Sequence, residues 1–216
     1  MSNPKINEIS KFKAVFFDFD GVIKDSIESK AHAFSYLFKD LSQELNQKIM
    51  NHHLANGGVS RFDKIPIYMK WAGKDLSQKN IINHLEKFSK ISLNLVEASP
   101  WIPGSLEYIE NNHMNQSLFI ISATPQKDIQ LIAQNLKIDK FFVYIAGSPL
   151  SKIELLSEQL TRNSINPSDA IMIGDSLEDY EAAIKNSVPF LLIKNKFNKS
   201  LQMNLDCNML SNFVNK

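Results

Sequence analysis

Two carboxylates, Asp18 and Asp20, flank Phe19 and run into Gly21 and Val22. They follow the apolar run Ala14-Val15-Phe16-Phe17. A short continuous apolar run bounded by glycine predicts a buried strand. Side chains just past the end of such a strand fall in the crevice where open α/β sheets bind ligands. Carboxylates held there cost free energy unless they are compensated. Oxygen ligands of this kind suit a hard divalent cation, Mg²⁺. Three later stations repeat the arrangement, an apolar run and then polar chemistry. They are Ser122-Ala123-Thr124, Lys152 beyond Gly147-Ser-Pro-Leu-Ser151, and Gly174-Asp175-Ser-Leu-Glu-Asp179. In a parallel sheet all four stations converge on one edge.

The elements that must position them are five apolar runs: Ala14–Phe17, Leu118–Ile121, Phe141–Ile145, Ala170–Ile173 and Phe190–Ile193. Each is nearly continuous, as expected of parallel strands covered on both faces. Amphipathic segments at Asp128–Leu136, Ile153–Leu160 and Leu177–Ile184 separate the last four. This alternation predicts a doubly wound α/β domain. Between Asp25 and about Pro100 no comparable strand signal appears. There Asp25 and Glu28 have capping-box spacing, and Ile27, Ala31, Phe34, Leu37 and Phe38 share one helical face. Gln43–Leu54 and Gln78–Ile91 are further helix candidates, and Pro66 marks a helix start or a kink. The expected organisation is a sheet core from residues 1–24 and 100–216 with a helical insertion at 25–99. The segment Lys194–Lys216 is expected to form a last short element or a loose tail.

Read alone, several of these residues have plainer roles. Ser122 is a serine at a strand end, and Lys152 a solvated lysine at a helix start. Asp179 is a first-turn acid favoured by the helix dipole. Together and in this order they resemble the haloacid dehalogenase superfamily, whose members are mostly Mg²⁺-dependent phosphohydrolases. The resemblance covers Lys13 to about Ile193. It is carried chiefly by Asp18-Phe-Asp20-Gly21-Val22 and Gly174-Asp175-Ser-Leu-Glu-Asp179. It implies a Rossmann-like parallel-sheet core carrying an α-helical cap. By that resemblance Asp18 is the nucleophile and forms an aspartyl-phosphate. Asp20 is the acid and base, and its carbonyl binds the metal. Asp175 completes the metal site, with Asp179 as a direct or water-mediated partner. Ser122 and the Ala123 N–H bind a phosphoryl oxygen, and Lys152 adds a charge to it.

Within the superfamily, Gly58-Val-Ser-Arg61 is similar to a cap loop of the β-phosphoglucomutase and phosphoglycolate phosphatase-like branch. The resemblance makes Arg61 the first specificity residue, with Lys64 and His53 as weaker candidates. His52 is expected on a solvated face. Mutases of that branch read Glu-Asp where this chain has Gly174-Asp175, and tend to carry His at Lys30. Dehalogenases lack the second motif carboxylate, and Asp20 is present. Phosphonate hydrolases use a cap lysine, which Lys24 or Lys30 keeps open. The expectation is a phosphatase acting on a small phosphorylated metabolite, most plausibly a sugar phosphate. The alternatives are a phosphosugar mutase and a non-catalytic binding protein on the same fold.

Bulk properties narrow the classes. The 216 residues carry a net charge of +1, and 44% are hydrophobic. This balance provides no basic field for nucleic acid or an acidic membrane. One cysteine, Cys207, excludes a disulfide framework and a cysteine-based zinc site, and it is expected to act as a small apolar side chain. The polar stretch Met1 to Lys13 has no signal-peptide pattern, and no run approaches the length of a bilayer span. A cytoplasmic setting is the expectation, and oligomeric state is not encoded in any pattern here.

Overall fold

The computed structural model describes residues 6–214. The ends of the polar N-terminal stretch (1–5) and of the C-terminal segment (215–216) lie outside the described residues. The chain opens with a 3-10 turn, Ile6–Lys11, and enters β1 at Ala14–Phe17. Helices α1 (Ile27–Leu37), α2 (Gln43–Ala55), α3 (Arg61–Trp71) and α4 (Gln78–Ala98) follow. The chain then alternates: α5 (Ser105–Asn112), β2 (Ser117–Pro125), α6 (Gln126–Asn135) and β3 (Tyr144–Ser148). It continues through α7 (Lys152–Arg162), β4 (Ala170–Gly174), α8 (Leu177–Lys185) and β5 (Phe190–Ile193). Helix α9 (Lys199–Asn204) and strand β6 (Asn208–Leu210) close it.

Among the described residues the sheet has six strands in the order β3-β2-β1-β4-β5-β6, and every pairing is parallel. Alternate side chains of each strand face opposite layers, as the two-residue period requires. Val15, Phe17, Leu118, Ile120, Ile171 and Ile173 join one apolar cluster with Tyr108 and Ile109 of α5 and Ile129 and Ile132 of α6. Phe16, Phe119, Ile121, Met172 and Leu192 join the other with Leu155 and Leu156 of α7 and Ala182 and Ala183 of α8. Phe16 stacks on Phe119 at 4.5 Å across the β1–β2 pair. Helices α1 to α4 enclose a third cluster built on Phe34, Phe38, Ile49, Ile65, Tyr68 and Phe88. Two backbone crossings join this helical unit to the sheet. Lys24 bridges to Trp101, and the Asp25 N–H donates to the Pro100 carbonyl at 2.8 Å.

Several sequence-based expectations are corrected. The third strand begins at Tyr144, not Phe141, which sits in the 3-10 turn Asp139–Phe141. Phe141 and Phe142 pack on the core from that turn. Strand β2 runs on to Pro125, with a register irregularity between Ser122 and Pro125, so the Ser-Ala-Thr station lies inside its bulged end. The Asp25–Glu28 capping box does not form. Ser26 is the N-cap of α1, and its hydroxyl donates to Asp20 Oδ1 at 2.6 Å instead. Pro66 lies inside α3, a helix the periodicity did not announce. The C-terminal segment contributes both α9 and the sixth strand. Cys207 is half-buried against the second cluster, as expected.

Candidate active site

The site forms where β1 ends between its neighbours β2 and β4. The Asp18 N–H donates to the Ile173 carbonyl at 2.9 Å, which carries β1–β4 pairing one residue past the strand. The chain then turns at Gly21, with φ of 80°, and the Gly21 N–H donates to the Lys24 carbonyl at 2.7 Å. Only glycine suits this position: the left-handed backbone strains other residues, and a Cβ there would lie 2.4 Å from Asp175 Oδ2. The turn brings Asp18 and Asp20 into a cavity that Lys30, His53, Arg61, Lys64, Ala123, Thr124, Lys152 and Asp175 also line. Its enclosed free space is small, about 40 Å³.

On the sheet side, Lys152 holds the carboxylates together. Its Nζ lies 2.8 Å from Asp18 Oδ2 and 2.6 Å from Asp179 Oδ1. Lys152 opens α7 behind Ser151, whose side chain makes a capping box with Glu154. The other oxygen of Asp179 accepts from the Ser176 N–H at 3.1 Å and from the Ser176 hydroxyl at 2.6 Å, in the capping box of α8. Asp175 Oδ2 accepts from Asn195 Nδ2 at 2.8 Å, and Asn198 Nδ2 donates to the Asp175 carbonyl at 2.8 Å. Oxygens of Asp18, Asp175 and Asp179 lie within 4.8 Å of one another. Burial pushes the Asp18 carboxyl up to about 7, with Lys152 pulling it back and Asp179 and Asp20 pushing further. Asp175 is raised well above the usual carboxylate range, by burial first and then by Asp18 and Asp179. Burial opposes the Lys152 charge, yet Asp179 and Asp18 hold its ammonium above the ordinary lysine range. A trio of carboxylates against one lysine, Asp18 and Asp179 buried and Asp175 half-buried, is a donor set that fits a hard divalent cation. Both oxygens of Asp18 (to the Phe19 N–H at 2.6 Å and to Lys152) and both of Asp179 are already bonded, whereas Asp175 accepts from Asn195 at Oδ2 and has the freer carboxylate.

Asp20 stands apart from this trio. Its carboxylate accepts from Ser26, Lys30 and Thr124 Oγ1, and Lys30 Nζ also reaches Thr124 Oγ1 at 2.7 Å. Burial would raise Asp20, but the Lys30 ammonium and these hydrogen bonds hold it below the usual carboxylate range. Ser122 is buried, and its Oγ accepts from the Thr124 N–H at 3.1 Å, so Ala123 and Thr124 are the residues of this loop that line the cavity.

The helical unit supplies the roof. Arg61 reaches the cavity from the start of α3, but its guanidinium pairs with Asp128 Oδ2 at 2.8 Å and stacks 4.9 Å above Phe88. Lys64 is buried, with Nζ 3.1 Å from His53 Nδ1. His52 is not on a solvated face: its Nδ1 lies 3.0 Å from the Tyr68 hydroxyl, and its ring meets Trp71 edge-on. Lys30 and Thr124 are missing from the expected site residues. Lys30 was legible in part, as a cation at helical spacing among Ile27, Ala31 and Phe34. Lys24, one of the two lysines that kept the phosphonate-hydrolase alternative open, donates to the Glu97 carbonyl at 3.1 Å and sits 4.4 Å above the Trp101 ring, where the chain crosses between sheet and helices.

Comparison with known proteins gives the fold a family. Residues 15–193 match the model of the haloacid dehalogenase-like hydrolases. No curated protein sequence matches the chain. Among solved structures, a predicted phosphoglycolate phosphatase from Haemophilus somnus aligns with TM-score 0.74 at 20% identity, covering 94% of this chain and 95% of that one. CbbY from Rhodobacter sphaeroides, in complex with xylulose-1,5-bisphosphate, aligns with TM-score 0.76 at 14% identity and covers 94% and 95%. The magnesium-bound HAD-hydrolase YfnB from Bacillus subtilis aligns with TM-score 0.66 at 17% identity and covers 85% and 89%. At these identities the structures speak for the fold, and the family model for the lineage: the chain belongs to the haloacid dehalogenase-like hydrolases.

Proposed function

We propose that this protein is a Mg²⁺-dependent phosphatase of small phosphorylated metabolites, working through an aspartyl-phosphate on Asp18. The observation that carries the reading is the convergence of Asp18, Asp20, Asp175 and Lys152 on one enclosed cavity. In this reading residues 25–99 are a cap that closes over a core made of residues 1–24 and 100–216. Mg²⁺ would be held by Asp18, Asp175 and the Asp20 carbonyl, with Asp179 as the residue that seats Lys152. Bound there, it would offset repulsion between the Asp18 carboxylate and the anionic phosphoryl group.

Asp18 attacks phosphorus, the bond from phosphorus to the leaving oxygen breaks, and Asp20 gives that oxygen a proton. Asp20 then takes a proton from water as its oxygen attacks phosphorus, which releases inorganic phosphate and restores Asp18. The observed contacts of Asp20 stabilise its ionised form, the one the second half-reaction needs. Lys152, the Ala123 N–H and the Thr124 loop positioned by Ser122 balance the charge of the phosphoryl oxygens.

Hydrolysis is favoured over mutase chemistry by Gly174. A Cβ at that position would lie 2.2 Å from the Asp179 Cβ. The glutamate that the mutase pattern places there needs Asp179, and the Lys152 pairing with it, to move. The test is phosphate release from a panel of phosphorylated metabolites, with Mg²⁺ and with EDTA, alongside Asp18→Asn. Release that needs both Mg²⁺ and Asp18 is the expected result. Isomerised sugar phosphate without release would assign the mutase, and neither product would assign a binding protein.

A further inference from the structure

Three of the four cations lining the cavity have a carboxylate partner within the protein. Lys152 has Asp18 and Asp179, Lys30 has Asp20, and Arg61 has Asp128. Lys64 has none within ion-pair distance among the described residues. Lys64 is 1% exposed, and among the described residues its only close polar contact is His53 Nδ1. An ammonium has donors only, so Lys64 donates to Nδ1, and the hydrogen of the neutral imidazole is on Nε2. His53 Nε2 is also buried without a formed hydrogen bond, with weak support from the Ile27 carbonyl. The charges around Lys64 come from several elements. Lys30 on α1 and Lys152 on α7 oppose its charge, while Asp20 after β1 and Glu178 on α8 favour it from a distance. Burial and Lys30 hold Lys64 down at about 7, the behaviour of an ammonium short of a counter-ion.

A buried ammonium without a counter-ion is among the costliest groups a fold can hold. The unbalanced charge has a direction, because Lys64 lines the same small cavity as Asp18 and Lys152 but enters it from the helical unit. A phosphoryl group seated against Asp18 and Lys152 leaves the remainder of a compact substrate facing Lys64. Arg61, the expected specificity residue, already has its charge matched by Asp128.

We propose that Lys64, with His53 behind it, binds a second anionic group of the substrate, so that the enzyme selects compact phosphomonoesters carrying a carboxylate or a second phosphate. The inference rests on the phosphatase reading for the place of the first phosphoryl group. Two pairs of compounds separate the sources of the second anion. They are 3-phosphoglycerate against glycerol 3-phosphate, and propane-1,3-diol bisphosphate against propyl phosphate. Affinity is measured by calorimetry on the full chain carrying Asp18→Asn with Mg²⁺, alone and combined with Lys64→Met or Lys64→Arg. The expected result is binding at least about tenfold tighter for the doubly anionic member of one pair. That preference is lost in Lys64→Met and largely kept in Lys64→Arg. Equal affinity within both pairs, or a preference that survives Lys64→Met, would overturn the subsite. Phosphate release by the unsubstituted protein is followed on the same compounds. Release without preference removes the subsite and leaves the phosphatase reading standing, whereas preference without release does the reverse.

Discussion

The two walls of the cavity have opposite imbalances. The sheet wall gathers Asp18, Asp175 and Asp179 around one cation, Lys152. The helical wall brings Lys30, Arg61 and Lys64, against Asp20 and Asp128 contributed by the core. The first wall is short of positive charge and the second of negative charge. In the proposed function a divalent cation would correct the one and an anionic substrate the other, so that metal and phosphorylated ligand would each complete a wall that the chain leaves unbalanced. The difference also separates the kinds of residue. Sheet-wall carboxylates follow strands whose positions the ladder fixes, whereas roof cations depend on how the helices pack.

The largest expected effect is on the sheet wall. Asp18→Asn removes the proposed nucleophile, and turnover should fall by roughly three orders of magnitude or more with the fold intact. Steady-state kinetics with a circular dichroism spectrum checks both halves; substantial residual turnover would remove Asp18 as nucleophile. Lys152→Met leaves Asp18 and Asp179 buried without their cation, and should cost about 3–5 kcal/mol of stability as well as activity. Urea denaturation reads that loss, and an unchanged midpoint would break the account of Lys152 as the organiser of this wall.

The roof should respond in the opposite sense. Lys64 has its pKa lowered from 10.5 to about 7 in the folded protein. Between those values the unfolded chain holds a proton that the folded one lacks, so stability rises with pH across the window, and below it the full cost applies. Lys64→Met should therefore stabilise the free protein, by a few kcal/mol on the order-of-magnitude scale of such shifts, near pH 6. The gain should fade toward pH 10. Urea midpoints at the two values check it, and a variant less stable than the parent at pH 6 would contradict it. A smaller effect concerns the metal. Asp18 is raised from 3.8 to about 7, so its protonated form contributes stability that is lost as pH rises through that range. The thermal shift produced by Mg²⁺ should grow across the same window, and a shift that is flat with pH would place the metal elsewhere.

How much of this was legible in the sequence follows the same division. Strands β1, β4 and β5 stand at or within a residue of their apolar runs, because strands buried on both faces need continuous apolar sequence. Asp18, Asp20, Asp175 and Lys152 were therefore placed by the strand and loop positions they occupy. Strand β3 was displaced because Phe141 and Phe142 satisfy the apolar pattern from a turn. Helix α3 was not recognised, since Pro66 and Lys64 interrupt its periodicity. The spacing of Arg61, Lys64, Ile65 and Tyr68 puts two cations on its buried face, and that was the available signal. Lys30 pairs with Asp20 just past β1 while also reaching Thr124 on β2, and Arg61 pairs with Asp128 on α6, far away in sequence, so pairing of the roof charges is a property of tertiary packing. The capping-box reading at Asp25 failed for a related reason: the Ser26 hydroxyl that would cap α1 is taken by Asp20.

The most direct test of the central claim is to trap the covalent intermediate. The protein is mixed with Mg²⁺ and a phosphatase substrate identified from the panel, quenched in acid within a turnover, digested, and its peptides weighed. One phosphoryl group on the peptide carrying Asp18, absent in Asp18→Asn and with EDTA, is the predicted result. A phosphoryl group on a different residue, or phosphate release at full rate by Asp18→Asn, would contradict it.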